Sequence, residues 1–262
     1  MTSSPISGLR PGVLESLRAP HELRAAVLDR TGLGCAYALY DGPVGPVHVG
    51  YGPRGLMAIR RADLADDFES WFEAEFHRRV RRAAALPAAL SAGLDAALAG
   101  QPSPPLDLRH LSEFQRAVLA ATATIPRGEV RTYGWVAREA GHPLAVRAAG
   151  SALARNPIPF VIPCHRVVRS DWRLGNYSGG GPGAKRAVLA REGLDADLLD
   201  ELARSGVRYH GTVATGFFCV PSCGGQRAVA APGKVGFQTA QDAVAAGYVP
   251  CAACRPVAAV AA

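Results

Sequence analysis

Cys164 stands between Pro163 and His165. A thiol is a soft nucleophile, but only its thiolate attacks, and a free cysteine with pKa near ~8.5 is mostly protonated at neutral pH. A base or a cationic neighbourhood must raise the thiolate fraction. His165 offers an imidazole. Arg147, Arg166 and Arg169 offer positive charge, and Glu192 offers a carboxylate to orient the imidazole. Adjacent side chains on an extended chain point to opposite sides. His165 therefore reaches the sulfur only if the backbone turns or a water bridges the two. The competing reading is a buried structural cysteine beside a surface histidine.

A second constellation lies in the tail. Cys219-x-x-x-Cys223 and Cys251-x-x-Cys254 form two pairs with 27 residues between them. Paired cysteines at such spacing suit a tetrahedral zinc site. Two local disulfides are the alternative, disfavoured in a reducing compartment. A tail of this size needs such a staple to fold. Cys35 stands alone in a strand-like run and reads as a small buried hydrophobe.

The elements that must position these residues follow from periodicity and punctuation. Ala36 to Tyr40, Val47 to Tyr51 and Leu56 to Arg60 are short apolar runs separated by Gly and Pro turn signals, which predicts strands. Residues 64–82 predict a helix, with Leu64, Phe68, Trp71, Phe72 and Phe76 near the helical period. A weaker helix spans Leu86 to Ala99. Gly100-Gln-Pro-Ser-Pro-Pro-Leu reads as a linker. Ser112 caps the next helix, Thr132 to Ala140 forms another, and Gly141-His-Pro separates it from a helix over Ala145 to Arg155. Helix, break, helix is the outline of a helix-turn-helix. Phe160-Val161-Ile162 predicts a short buried strand leading into Cys164. A glycine-rich loop at 175–183 precedes a helix over Ala184 to Glu192. Residues 1–30 read as an extension with one short helix.

The net charge of +7 is unevenly placed. Residues 109–192 carry 13 Arg and Lys against 5 Asp and Glu, while residues 1–108 carry 11 against 12. A basic middle suits a phosphate-bearing partner. It also fits a merely solvated arginine-rich surface. No apolar stretch approaches the roughly 20 residues of a membrane helix, and residues 1–20 lack a signal-peptide pattern. The expected location is the cytoplasm.

Pro163-Cys-His-Arg-Val167 resembles the O6-alkylguanine-DNA alkyltransferases. So do Gly128-Glu-Val-x-x-Tyr133, Arg147-Ala-x-Gly150, Asn156-Pro-x-Pro159, Asn176-Tyr-Ser-Gly179 and Leu189-x-x-Glu192-Gly. Order and spacing agree across roughly residues 33–194, apart from one extra residue between Gly179 and Ala184. The resemblance implies an α/β (α+β) chain. A small ribonuclease-H-like sheet-plus-helix domain would occupy residues 31–105, and a winged helix-turn-helix alkyltransferase domain 109–195. Cys164 would take the alkyl group from O6-alkylguanine, and from O4-alkylthymine, in a single turnover without cofactor. His165, Glu192, Asn156 and Tyr133 would support it. Arg147, Ala148, Gly150, Tyr133 and Arg166 would contact DNA, with Arg147 filling the space of the flipped nucleotide. Tyr177, Ser178, Pro159 and Leu153 would line the guanine pocket. The expected partner is double-stranded DNA carrying alkylated guanine, met by a monomer.

The sequence around the tail cysteines, residues 205–257, resembles the zinc domain of the bacterial adaptive-response (Ada) protein. That likeness implies Zn²⁺ on Cys219, Cys223, Cys251 and Cys254, and makes Cys219 a second methyl acceptor, for DNA phosphotriesters. Only Arg227 and Lys234 are basic between the pairs, so a purely structural zinc site stands beside that reading. Two other classes compete for the whole chain. One is a lesion-binding sensor without transfer. The other is a Cys-His-Glu hydrolase, for which no oxyanion hole is evident and a helix-turn-helix is superfluous.

Overall fold

The computed structural model describes residues 34–257, apart from 65, 66 and 228, together with Leu23, Val27 and Leu28. The short helix expected within residues 1–30 falls mostly outside the described residues, and within that range Leu23, Val27 and Leu28 are helical. The apolar runs and their glycine turns give an antiparallel meander of β1 (Cys35–Gly42), β2 (Gly45–Gly52) and β3 (Gly55–Arg61). Helix α1 (Phe68–Phe76) crosses it, capped by Asp67, whose carboxylate accepts from the Ser70 amide at 3.0 Å. Phe68, Phe72 and Phe76 recur on one face and pack with Tyr37, Met57 and Ala58.

The helix expected over 64–82 is shorter than its sequence suggests. His77 takes a left-handed conformation (φ 52°) and ends α1. Val80–Arg82 then returns as β4, parallel to β1, in sheet order β3-β2-β1-β4. Pairing along the β1 edge overrides the apparent helical period. Helix α2 (Ala88–Leu98) follows. The presumed linker is no free spacer, because the Leu56 amide donates to Pro105 O and the Asp107 amide to Leu56 O, both at 2.8 Å.

Helices α3 (Glu113–Ala123), α4 (Tyr133–Glu139) and α5 (Val146–Ala154) pack on the far side of the meander. Their core joins Val47, Val49, Leu56 and Ile59 to Val118, Leu119, Trp135, Val136, Ala149 and Leu153. Between α3 and α4 runs β5 (Arg131–Thr132), which pairs in parallel with β6 (Val167–Val168). Helix α6 (Gly181–Arg191) carries the carboxylate end of the site, and α7 (Ala196–Ser205) follows it. The tail adds a second sheet, in the order β10-β8-β7-β9, from β7 (Tyr209–Thr212), β8 (Phe217–Cys219), β9 (Lys234–Phe237) and β10 (Val249–Pro250). Two short helices, α8 (Gly224–Arg227) and α9 (Ala240–Ala245), complete it. Among the described residues no helix is long and apolar enough to cross a membrane.

Helix α3 sits beneath α4 and α5 and starts from a full capping box. The Gln115 amide donates to Ser112 Oγ at 3.2 Å, and Gln115 Oε1 accepts from the Ser112 amide at 3.0 Å. Replacing Ser112 with Ala is expected to cost about 1 kcal/mol of unfolding free energy, measured as a lowered urea midpoint. An unaltered midpoint would remove the box from the account.

Candidate alkyl-transfer site

The turn from α5 to Cys164 is built by one amide. Asn156 Oδ1 accepts from the Ile158 amide at 3.0 Å, and its Nδ2 donates to Ile162 O at 2.9 Å and to Cys164 Sγ at 3.1 Å. Pro157 and Pro159 stiffen the same turn. The strand expected at Phe160–Ile162 is not formed. Phe160 turns through φ 73°, and Pro159 bridges back to Ile162. Asn156 satisfies the local polar groups that a strand would have needed a neighbour to pair. Cys164–Arg166 then makes a single tight 3₁₀ turn before β6.

That turn carries His165 inward, where it is 1 % exposed. His165 Nε2 lies 2.9 Å from Glu192 Oε1, at the end of α6, and Nδ1 is buried without a protein partner. Arg166, expected at the DNA surface, is largely turned towards Glu192. It folds back with its side chain 11 % exposed. Its Nε and Nη2 donate to both Glu192 oxygens at 2.9 and 2.7 Å, and Nη1 donates to Ile125 O at 2.6 Å. A planar guanidinium matches a carboxylate with two parallel hydrogen bonds. The Gly128 amide adds a further donor to Glu192 Oε2 at 3.2 Å.

These contacts set the protonation states. Burial alone would raise Glu192, but the hydrogen bonds from His165 and Arg166 outweigh it and hold the carboxyl at about 2. Burial pushes His165 below its ordinary value despite Glu192. Burial raises the Cys164 thiol, against the opposing pull of the Asn156 amide, the Lys185 charge and the Ser178 hydroxyl. The resting pair is thus a neutral thiol and a neutral imidazole beside a firm anion. Sequence reasoning missed Lys185. Its ammonium is fully buried and donates to Val167 O and Leu174 O, and burial lowers it to about 8. It clamps the chain after the cysteine and places a cation near the sulfur. Its only sequence signal is a lysine among the apolar positions of α6.

Cys164 opens into a cavity of about 590 Å³ lined by Tyr133, Arg147, Gly150, Leu153, Arg169, Tyr177 and Ser178, among others. It unites Cys164, Tyr133, Arg147 and Gly150 with three of the four residues expected in the guanine pocket, Leu153, Tyr177 and Ser178. The fourth, Pro159, lines an adjoining cavity of about 340 Å³ with Asn156, Arg60 and Trp71, and His165, Arg166 and Glu192 line another of about 460 Å³. Burial first, then the nearby Cys164, raises the Tyr133 phenol, so it stays a proton donor. The Tyr177 ring stands edge-on to His165, with centroids 6.2 Å apart. Gly179 must remain glycine, since a Cβ there would lie 2.5 Å from Tyr177 Cζ. On α5, Arg147, Ala148, Ser151 and Ala154 are exposed, while Ala149, Ala152 and Leu153 are buried. The outer face is therefore low, with Arg147 projecting from it.

In the tail, the sulfurs of Cys219, Cys223, Cys251 and Cys254 lie within 4.8 Å of one another. A zinc tetrahedron with Zn–S near 2.3 Å has edges of about 3.8 Å, so four thiolates at these separations fit the ion. Three of the four cysteines are buried, Cys219 to 4 % exposure. When bound, zinc supplies the cross-link that holds β8, the turn after it and the end of β10 together.

Comparison with known proteins agrees with this geometry. Residues 113–194 match the family described as 6-O-methylguanine DNA methyltransferase, DNA binding domain. Residues 200–257 match the metal binding domain of Ada. A methylated-DNA--protein-cysteine methyltransferase of Mycolicibacterium paratuberculosis is 52% identical over 87 residues, 33% of this chain and 52% of the relative. One of Methanothermobacter thermautotrophicus is 48% identical over 92 residues, 35% and 51% respectively. The chain thus spans about half the length of these curated relatives. The crystal structure of Mycobacterium tuberculosis OGT in complex with DNA superposes with a TM-score of 0.51 at 33% identity, over 63% of this chain and 98% of that one. The chain belongs to the 6-O-methylguanine DNA methyltransferase family, and its four tail cysteines form a zinc site.

Because Glu192 titrates at about 2 against an ordinary 4.5, its contacts stabilise the fold above pH 4.5. That contribution disappears as pH falls through 2. The difference is worth about 3 kcal/mol. Unfolding free energies of the native chain and Glu192→Gln should converge on acidification. A constant gap between them would contradict the assignment.

Proposed function

We propose that the chain repairs double-stranded DNA by moving the alkyl group of O6-alkylguanine irreversibly onto Cys164. One observation carries this reading: Cys164 opens into the same cavity as Arg147 and Tyr133, with the His165–Glu192 pair buried behind it. On approach of the lesion the thiol proton passes to His165, whose inward Nδ1 receives it through a water, and Glu192 stabilises the imidazolium. The thiolate attacks the alkyl carbon. The carbon–oxygen bond breaks, its electron pair stays on the purine, and the Tyr133 hydroxyl protonates the departing base. The thioether has no route back, so each chain acts once and needs no cofactor for the transfer.

The exposed low face of α5 suits close approach to a groove. Arg147 suits the gap left by a flipped nucleotide, a step costing a few kcal/mol that is easier for poorly paired bases. Phosphate contacts hold without reading sequence. We read residues 31–105 as a ribonuclease-H-like support, 109–195 as a winged helix-turn-helix with β5 and β6 as its wing, and 205–257 as the zinc unit. The whole acts as a cytoplasmic monomer. Tyr177, Ser178 and Leu153 are assigned to the guanine pocket. A second acceptor at Cys219 is the weaker reading. Its sulfur faces a core shared with Val130 and Trp172, which argues against entry of a phosphotriester, and we keep Cys219 as a zinc ligand.

Incubation with O6-methylguanine duplex should add the mass of one methylene to the intact chain, localised to Cys164. Cys164→Ala should abolish the gain, and Arg147→Ala should slow it by about tenfold or more at limiting DNA. Unmodified Cys164 after prolonged incubation would refute transfer and leave lesion binding. Duplex methylated on its phosphates should leave the mass unchanged, and a gain at Cys219 would restore the second acceptor.

A further inference from the structure

The zinc unit is fused to the part of the molecule that positions the reaction. Val130, Val168, Trp172, Leu174 and Leu189 share one core with Cys219, Val220, Cys223 and Cys254. Trp135 Nε1 donates to Cys254 O at 2.9 Å, and Trp172 Nε1 donates to Val207 O at 3.0 Å.

The closest engagement falls on residues 128–133, whose partners divide between the two sides. The Gly128 amide donates to Glu192. Glu129 Oε1 accepts from the Gly224 amide, next to Cys223, at 2.8 Å. The Val130 amide donates to Ser222 Oγ, and that hydroxyl donates back to Val130 O, both at 3.0 Å. Arg131 and Thr132 pair with Val167 and Val168, directly after the Cys164 turn. Tyr133 enters the cavity. The β5–β6 pairing is two residues long, too short to hold itself. Val130 is fully buried, so no water replaces Ser222 on its amide.

We infer that Ser222, Gly224 and Glu129 are positioning residues for alkyl transfer. The zinc-held turn fixes residues 128–133, and through them the placement of Glu192 and Tyr133 about Cys164. This rests on the function proposed above and extends it, because it makes the zinc unit part of the alkyl-transfer machinery. Glu129 is held on its other side by Arg131 at 2.6 Å, a buried pair lying against the Trp135 ring.

The test uses the full-length, zinc-loaded chain and Ser222→Ala, Glu129→Ala and Glu129→Gln, with zinc content confirmed in each. Ser222→Ala and Glu129→Ala should bind O6-methylguanine duplex normally. Their transfer rate at saturating DNA should fall by about tenfold, the scale seen when groups that orient a reacting ligand are lost. The pH midpoint of transfer should also rise, since a displaced Glu192 stabilises the His165 imidazolium less and the thiol gives up its proton less readily. Glu129→Gln keeps an acceptor for Gly224 and should recover most of the rate. Chelating zinc from the native chain should speed amide exchange at 128–133 and slow transfer, both reversed on adding zinc back. A unit serving stability alone would lower the melting temperature but leave rate and pH midpoint unchanged in folded variants, and that result overturns the inference. If Ser222→Ala does not fold, Glu129→Ala and chelation decide. If the native chain transfers nothing, the proposed function fails by itself, while unchanged exchange at 128–133 on zinc removal would independently sink the brace.

Discussion

The buried carboxylate of Glu192 is the constraint from which the centre of the molecule follows. An ionised group out of water is tolerated only when its oxygens are fully engaged. Here His165, Arg166 and the Gly128 amide engage them from two separate stretches of chain. Meeting that demand fixes the end of α6, the turn that carries Cys164 and the segment before β5 relative to one another. The orientation of the imidazole beside Cys164 is a by-product of satisfying the charge.

A thiol raised by burial looks poorly suited to attack. The surroundings resolve this, because Asn156, Ser178 and Lys185 all favour the anion once it forms. They are in place before the reaction and need not reorganise, which is the condition under which fixed dipoles and charges help most. The chain keeps a stable neutral thiol at rest and supports the thiolate when the proton leaves.

Much of this was legible in the residues. Cys164, His165 and Glu192 stand out by residue type, Asn156 only through the motif resemblance, and the two cysteine pairs by spacing alone. The meander and the helix-break-helix outline followed from turn residues and periodicity. What escaped were decisions made by tertiary partners. Arg166 reads as a surface cation until a buried carboxylate claims it. Phe160–Ile162 reads as a strand until Asn156 takes up its polar groups. The helix from 68 stops at His77 because an open sheet edge competes for the following residues. Nothing in the pairs of cysteines hints that Ser222 between them would meet Val130, because complementarity between distant surfaces leaves no local period.

The outward side of α5 offers Ala148, Ser151 and Ala154 where other helices would carry long polar side chains. Alanine has nothing with which to question a base edge, and serine very little. On the function proposed above, such a face would carry no address for one sequence, and a target would be found by trying nucleotides one after another.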